Sequence, residues 1–198
     1  IPEDWDFEKA AAVPEVFYTA FLNLFVEGRL SEGETVLIHG GASGVGTAGI
    51  QMAKKAGCRV LVTAGRSDKT KFCKELGADV AVNYKEQDFA EAVLAHTDGV
   101  DVVLDIAGAD YLERNIQLLK LRGRLVVIAV LTGAETQINL LQMQVKRLRL
   151  IGSVLRSRSD AEKTAIVAAF KERFYPLLVD GQIQTVIHDV LPIERAAD

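Results

Sequence analysis

Residues 40–46, with the sequence GGASGVG, follow a short apolar run and precede an amphipathic segment that starts at Thr47. A glycine-rich turn between a strand and a helix lets free backbone N–H groups and the positive end of the helix dipole face a pyrophosphate. We expect Gly41 to form the tight turn and Gly46 to allow close packing of helix on strand. Ser43 stands at the usual middle glycine and offers a hydroxyl to a phosphate oxygen, while Gly44 leaves room for the pyrophosphate. The turn therefore predicts a dinucleotide site, with a purely structural turn as the alternative.

Two other nucleotide-binding patterns fit the chain poorly. The spacing of Gly40, Gly44 and Gly46 also suits short-chain dehydrogenases, but those enzymes need a Tyr-xxx-Lys pair to deliver a proton. None of the four tyrosines has lysine four positions later. A P-loop is excluded because no Lys-Ser or Lys-Thr follows the glycines.

The end of the second apolar run indicates which nicotinamide cofactor is preferred. NAD-binding sites place Asp or Glu about 20 residues beyond the glycines, where it binds the ribose hydroxyls. This chain instead has Gly65 and Arg66, followed by Lys69. The planar fork of Arg66 suits a 2′-phosphate, so the sequence favours NADP. The alternative is that Arg66 and Lys69 are ordinary surface charges, with Ser67 and Asp68 capping the next helix.

Short apolar runs alternate with longer amphipathic segments from Glu34 onward. This alternation predicts an α/β fold, a Rossmann-type doubly wound parallel sheet. We expect strands over residues 35–39, 59–63, 79–82, 100–105, 124–130 and 149–153. Helices are expected to begin near Gly44, Ser67, Glu86, Ala109 and Ser159, with a capping box at Ser159 and C-caps at Gly57 and Gly77. Residues 7–28 form an apolar helical stretch interrupted by Pro14.

Composition and charge argue against several classes of protein. The net charge is −4 with acidic and basic residues interspersed, so we expect no nucleic-acid partner. We also expect no apolar run long enough to cross a membrane and no signal peptide, which predicts a cytoplasmic protein. Cys58 and Cys73 belong to no CxxC pair, so neither a disulfide nor a metal site is expected. Both ends of the chain look cut, as in a fragment of a longer protein.

Several motifs taken together resemble the zinc-independent quinone oxidoreductases of the medium-chain dehydrogenase/reductase superfamily. The resemblance covers almost the whole chain. The motifs are AAVP at 11–14, YTA at 18–20, SGVG at 43–46, LGAD at 76–79, NY at 83–84, DIAG at 105–108 and LRSR at 155–158.

The resemblance implies a cofactor site built from separate parts of the chain. Thr19 would border the cofactor, Ser43 to Gly46, including Val45, would hold the pyrophosphate, and Arg66, Lys69 and Tyr84 would surround the 2′-phosphate. The loops after Asp105 and Ile128 would line the nicotinamide, with Ala129 and Val130 nearest. The expected cofactor-binding residues are Thr19, Gly41, Ser43, Gly44, Val45, Gly46, Gly65, Arg66, Lys69, Tyr84, Ala129 and Val130.

The resemblance also implies a domain plan. Residues 1–28 would be the connecting helix from a substrate domain, residues 29–182 the NADP-binding domain, and residues 183–198 the start of a return to the substrate domain. Zinc-bearing relatives place a cysteine ligand at about the position of Glu15, so no zinc is expected. His39 ends a strand, where we expect it to have a structural role.

The implied activity is that of an NADPH-dependent quinone oxidoreductase, an enzyme that passes a hydride from NADPH to a quinone or conjugated carbonyl. No residue of this chain is assigned as a catalytic acid or base. Alternatives are an enoyl reductase, a zinc-type alcohol dehydrogenase and a cofactor-binding module with little turnover. Relatives commonly pair their cofactor domains edge to edge, so we expect a homodimer that meets at an exposed edge strand.

Overall fold

A six-stranded parallel sheet forms the centre of the molecule, in a computed structural model that describes residues 1–195. Its strands are β1 (Thr35–His39), β2 (Arg59–Ala64), β3 (Val80–Asn83), β4 (Val100–Asp105), β5 (Leu119–Val127) and β6 (Arg149–Gly152). They lie in the order β3-β2-β1-β4-β5-β6, with every neighbouring pair parallel. Strands β1 to β3 are added toward one edge of the sheet and strands β4 to β6 toward the other, so the strand order reverses between β1 and β4. The predicted Rossmann-type doubly wound fold is confirmed.

Nine α-helices surround the sheet within residues 1–195. They are α1 (Phe7–Ala11), α2 (Val16–Phe21), α3 (Gly44–Lys55), α4 (Ser67–Glu75), α5 (Phe89–Leu94), α6 (Leu112–Leu118), α7 (Leu140–Lys146), α8 (Asp160–Arg173) and α9 (Tyr175–Val179). A π-helical turn, Leu22–Glu27, continues α2.

Alternate side chains of each strand enter different cores, as the two-residue repeat of a strand requires. In β1, Val36 and Ile38 pack in the core that contains α3, while Leu37 packs in the core on the opposite face with α5 and α6. All five residues of β1 are buried. The strand that leads into the glycine turn is therefore covered on both faces and held firmly in place.

Some predicted boundaries were wrong. β5 begins at Leu119 and ends at Val127, so residues 128–130 form a loop instead of the end of the strand. Helix α5 begins at Phe89 instead of near Glu86, because the Asp88 carboxylate accepts hydrogen bonds from the Ala90 and Glu91 amides. Helix α7 was not predicted. The capping box at Ser159 is confirmed, since its hydroxyl accepts from the Glu162 amide and Glu162 accepts in return.

The N-terminal helices pack against the last helices of the fold. Phe17 and Phe21 of α2 share a buried core with Phe170 of α8 and Phe174. The segment Phe7–Glu27 is long and apolar enough to cross a membrane by length and composition, which corrects the expectation that no such run exists. Half of its most apolar window is buried against the protein, as in a core helix, so it is weak evidence for a membrane span.

Candidate functional site

The glycine-rich turn joins β1 to α3. Gly40, with φ of 70°, adopts the left-handed conformation that the turn requires. The prediction assigned this role to Gly41, but Gly41 is needed for a different reason. A Cβ atom there would lie 2.7 Å from the Cβ of Val62 on the neighbouring strand. The backbone therefore turns at Gly40 and packs against β2 at Gly41.

The first turn of α3 contains backbone N–H groups and a hydroxyl hydrogen that could bind a ligand. Ser43 is the N-cap, and its Oγ accepts a hydrogen bond from the Gly46 amide at 3.1 Å. The Ser43 carbonyl accepts from the Thr47 amide. Within residues 1–195, the Gly44 and Val45 amides have no hydrogen-bond partner. An anion placed here would meet these amides, the Ser43 hydroxyl hydrogen and the positive end of a 12-residue helix.

The last two glycines of the turn are both constrained by packing. A Cβ at Gly46 would lie 2.3 Å from the Gly40 carbonyl oxygen, so the close helix packing expected there is present. A Cβ at Gly44 would lie 2.7 Å from Cγ1 of Val16 on α2. We expected Gly44 to serve the ligand more than the fold, but a side chain at this position would also displace α2.

A cavity of about 760 Å³ opens beside this turn, beyond the carboxyl ends of β1, β4, β5 and β6. Open α/β sheets bind their ligands at this edge. The cavity contains Thr19, Val45 and Ala129 of the predicted site, and Ile106 and Ile128 add apolar wall. Val130 does not line it and lies against Gly108 instead, with 49% of its surface exposed.

Two polar atoms in the wall of this cavity lack partners. The Asn23 amide nitrogen donates to the Thr19 carbonyl at 2.8 Å, which leaves the buried Asn23 Oδ1 without a donor. The buried Ser153 Oγ also has no partner. Unsatisfied polar atoms are costly inside a protein and usually mark a place where a ligand or water binds. The sequence prediction missed both residues, although Asn23 follows Thr19 by one helical turn and so shares its face.

Glu15 and Tyr18 lie at the entrance of the same cavity. The Thr19 hydroxyl donates a hydrogen bond to the Glu15 carboxylate. Burial, and secondly the nearby Tyr175, raise the pKa of Tyr18, so its hydroxyl stays protonated at neutral pH. Arg156 and Lys163 contribute positive charge to the lining of the cavity. The cavity thus combines a mostly apolar lining with a few polar groups, the usual composition of a small-molecule site.

Of the residues predicted to bind the 2′-phosphate, Gly65, Arg66 and Tyr84 follow the ends of β2 and β3, whereas Lys69 lies in the first turn of α4. The Tyr84 hydroxyl lies so close to Gly65 that a Cβ there would be 2.8 Å from it. Arg66, however, already has a partner, because its guanidinium forms two hydrogen bonds with the Asp68 carboxylate. This hydrogen bonding lowers the pKa of Asp68 to about 2. The prediction treated Asp68 only as a possible helix cap and missed this ion pair.

His39 is the last residue of β1, next to the glycine turn, and its ring is fully buried. Nε2 is 2.8 Å from the Asn115 Oδ1, and Nδ1 is 3.0 Å from the Thr63 hydroxyl oxygen. Because a carbonyl oxygen only accepts, Nε2 carries the hydrogen and Thr63 donates to Nδ1. Burial lowers the pKa of His39 to about 4. The neutral ring joins β1 to β2 and α6, which is the structural role that we expected.

Comparisons with known proteins place the chain in a family. The sequence profile of that family, described as zinc-binding dehydrogenase, matches residues 44–171. The chain is 31% identical to a quinone oxidoreductase of Rattus norvegicus over its whole length, which corresponds to 59% of the rat protein. The chain thus spans less than two thirds of the length of the curated relatives that it matches.

Solved structures agree with this placement. The quinone oxidoreductase of Thermus thermophilus, determined also as a complex with NADPH, has a TM-score of 0.85 and 31% identity over 100% of this chain and 62% of its own. The CurK enoyl reductase has a TM-score of 0.81 and 29% identity, covering 98% of this chain and 58% of its own. The cofactor half alone therefore resembles both kinds of reductase to a similar degree.

The zinc ion in the family's description can be tested against the residues of this chain. Among residues 1–195, no group of three or more His, Cys, Asp or Glu side chains is arranged to hold a metal ion. Glu15 is engaged with the Thr19 hydroxyl. The His, Cys, Asp and Glu side chains of residues 1–195 therefore do not fit a zinc site. The glycine turn, the sheet order and the matched sequence show that the chain belongs to the zinc-binding dehydrogenase family of the medium-chain dehydrogenase/reductase superfamily and resembles its quinone oxidoreductases.

Proposed function

We propose that this chain is the NADPH-binding part of a cytoplasmic oxidoreductase that reduces a quinone or another conjugated carbonyl. The observation that carries the proposal is the position of the 760 Å³ cavity. It lies at the carboxyl edge of the sheet, next to the free amides of the glycine turn. A dinucleotide placed along this edge would span the 2′-phosphate residues, the turn and the cavity.

The residues present fit such a cofactor. Gly44 and Val45 would donate their amides to the pyrophosphate, with Ser43 adding its hydroxyl. Asn23 Oδ1 would accept a hydrogen bond from the amide group of the nicotinamide, and the Ser153 hydroxyl would bind the same group. These contacts would satisfy the two buried polar atoms that lack partners.

When bound, NADPH supplies the hydride, so the protein has to position the ring and exclude water. Thr19 and Val45 would support one face of the nicotinamide, while Ile106, Ile128 and Ala129, which line the same cavity, would form an apolar wall around it. The other face would stay open toward an acceptor. In the longer relatives we expect the remaining part of the protein to cover that face.

This arrangement leads to an expectation about the chain by itself. It should bind NADPH, because every predicted cofactor contact lies between residues 19 and 158. It should reduce a simple quinone at least about 100-fold more slowly than the full-length rat relative, because nothing aligns the acceptor with the ring. Calorimetry with NADPH and NADH, and NADPH oxidation followed by absorbance, measure the two properties.

The possible results separate the parts of the proposal. Absence of NADPH binding would contradict it, and equal affinity for NADH would contradict the choice of cofactor. Turnover equal to that of the rat protein would show that the remaining part is not needed to position the acceptor.

Enoyl reduction is the second candidate, supported by the similarity to the CurK enoyl reductase. Both reactions use the same cofactor half and differ in the acceptor. An enoyl thioester offered beside the quinone, to a protein of the relatives' full length, would distinguish them. Faster oxidation of NADPH by the thioester would favour the enoyl reductase.

A further inference from the structure

A second cavity, of about 500 Å³, lies at the opposite edge of the sheet from the cofactor site. It opens at the amino ends of β1 and β6 and beside the first half of β5. The length of a strand, roughly 15 Å, separates this edge from the carboxyl ends of the strands. Six residues, named here the arginine cluster, line the cavity: Arg29, Glu34, Arg122, Arg124, Arg147 and Arg149.

The arginine cluster concentrates positive charge. Its five arginines and one glutamate leave four uncompensated positive charges, whereas the whole chain carries a net charge of −4. Arg124 binds the Glu34 carboxylate through two hydrogen bonds, of 2.8 and 2.7 Å. No ion pair involves any of the other four arginines within the part of the chain that the structure describes.

The backbone of the cluster is also unusual. Arg29, Arg122 and Arg147 have φ angles of 48°, 63° and 52°, and they are the only non-glycine residues among 1–195 with positive φ. This left-handed conformation is costly for a residue with a long side chain. Arg124 supports one of these turns by donating to the Gly28 and Arg29 carbonyls. All three strained residues thus surround one cavity.

The composition of the cluster indicates the chemistry of a ligand. Every cation in the cluster is an arginine, and guanidinium forks bind phosphate oxygens in pairs. The four arginines without an ion pair put exposed positive charge around one cavity, and a ligand with several negative charges would compensate that charge. The volume suits a small molecule. We propose that the arginine cluster binds a triphosphate group, at a site separate from that of the dinucleotide.

Calorimetric titration with tripolyphosphate tests the proposal at about 0.15 M ionic strength, where weak surface attraction is largely screened. The glycine turn also attracts phosphate, so the titration is repeated with saturating NADP⁺ present. The proposal requires binding that NADP⁺ does not abolish. This readout does not depend on the proposed function, because tripolyphosphate would still bind to the cluster of a chain that failed to bind NADP⁺.

Two pairs of substitutions locate the binding. Arg122→Asn with Arg147→Asn removes two charges away from β6, and asparagine tolerates the left-handed backbone at both positions. Lys74→Gln with Lys171→Gln removes the same charge from exposed positions elsewhere. We expect at least a tenfold loss of tripolyphosphate affinity in the first pair and less than a twofold change in the second. Circular dichroism checks that both pairs fold.

Three results would overturn the proposal: no binding at 0.15 M ionic strength, displacement by NADP⁺, or equal losses in the two pairs. A parallel titration with ATP, also in saturating NADP⁺, distinguishes the sources of the triphosphate. Affinity for ATP equal to that for tripolyphosphate would indicate a free polyphosphate, and tighter binding of ATP would indicate a nucleotide.

Discussion

The ion pair between Arg66 and Asp68 changes the expected selectivity of the cofactor site. The residues are two positions apart, and both side chains are mostly exposed. A 2′-phosphate approaching Arg66 would have to compete with a carboxylate that already accepts hydrogen bonds from Nε and Nη2 of the guanidinium. The acidic residue absent from the strand end is therefore found in the first turn of α4, as Asp68.

Asp68→Asn should consequently strengthen NADPH binding. Because the pair is exposed and screened by solvent, we expect a gain of roughly two- to fivefold. The affinity for NADH should stay unchanged, since NADH lacks the phosphate. Calorimetry on the variant and on Glu75→Gln, a control that removes an exposed carboxylate from the far end of the same helix, provides the comparison. An equal gain for NADH would show that Asp68 does not discriminate between the cofactors.

The buried ring of His39 predicts a pH dependence of stability. The unfolded chain takes up a proton at this residue below about pH 6.5, whereas the folded protein resists it until about pH 4. The contribution of neutral His39 to stability is complete above pH 6.5 and is lost as the pH falls toward 4. The full loss is about 3 kcal/mol as an upper value.

Urea unfolding between pH 7 and pH 4 measures this effect. His39→Gln should flatten the slope of the free energy of unfolding against pH across the window from 6.5 to 4. His96→Gln, at an exposed position, should leave the slope as it is in the parent chain. A slope that survives in His39→Gln would assign the pH dependence to other groups.

At the scale of single elements, the contacts of the glycine turn predict that substitutions at Gly44 and Gly46 affect stability in different ways. Gly46→Ala would press on backbone atoms that cannot move away. We therefore expect it to lower the free energy of unfolding by about 1–3 kcal/mol, and no shortening of a neighbouring side chain should restore that stability. Gly44→Ala would press on Val16, a side chain that can be shortened. Val16→Ala should therefore rescue Gly44→Ala and leave Gly46→Ala unimproved.

A double-mutant cycle in urea measures these couplings. We expect at least about 0.5 kcal/mol between positions 16 and 44, and none between 16 and 46. Absence of coupling at Gly44 would show that its first-turn backbone adjusts without the help of α2. Binding of NADPH by the rescued variant would then report on the space left for the pyrophosphate.

The elements that the sequence predicted well are those with strong local signals. β1 has the predicted boundaries, because a continuous apolar run ends at a glycine turn. The capping box at Ser159 was predicted because its hydrogen bonds join residues three positions apart. Helix α7 was missed because its seven residues, LLQMQVK, are too few to show a helical period, and its apolar residues are not buried in the structure.

The candidate site was predictable to a similar extent. Residues of the glycine turn are neighbours in sequence, so their pattern is readable without a structure. Asn23 and Ser153 line one cavity only because the π-helical turn after α2 and the loop after β6 converge there, and such tertiary contacts leave no local pattern. The partner of Arg66 could have been predicted from the sequence, because Asp68 stands two positions later. Asp68 was interpreted as a helix cap instead.

For the whole molecule, the free edge of the sheet predicts association. β6 is the last strand in the sheet order, and Leu150 on it is 44% exposed. Edge strands of this kind pair readily with another copy. We propose that two chains meet along β6, and light scattering at high concentration should show a dimer.

Leu150→Lys tests the position of this contact, because a charge on an edge strand opposes pairing. It should shift the protein toward the monomer by at least about tenfold in dissociation constant. Leu94→Lys, which changes a leucine exposed to a similar degree at the end of α5, is the matched control. A monomer in the unmodified chain, or equal weakening by both variants, would argue against the edge.

The packing of α2 on α8 also determines how the fold opens. Phe21 contacts the rings of both Phe170 and Phe174, with ring centroids 5.9 Å apart in each pair. We therefore expect α2 and α8, which lie about 150 residues apart in the chain, to form one cooperative unit, although α2 alone has only six residues. Their amides should exchange with deuterium at matching rates through a common opening event. Thermal fluctuations that release the N-terminal helices should therefore release α8 as well.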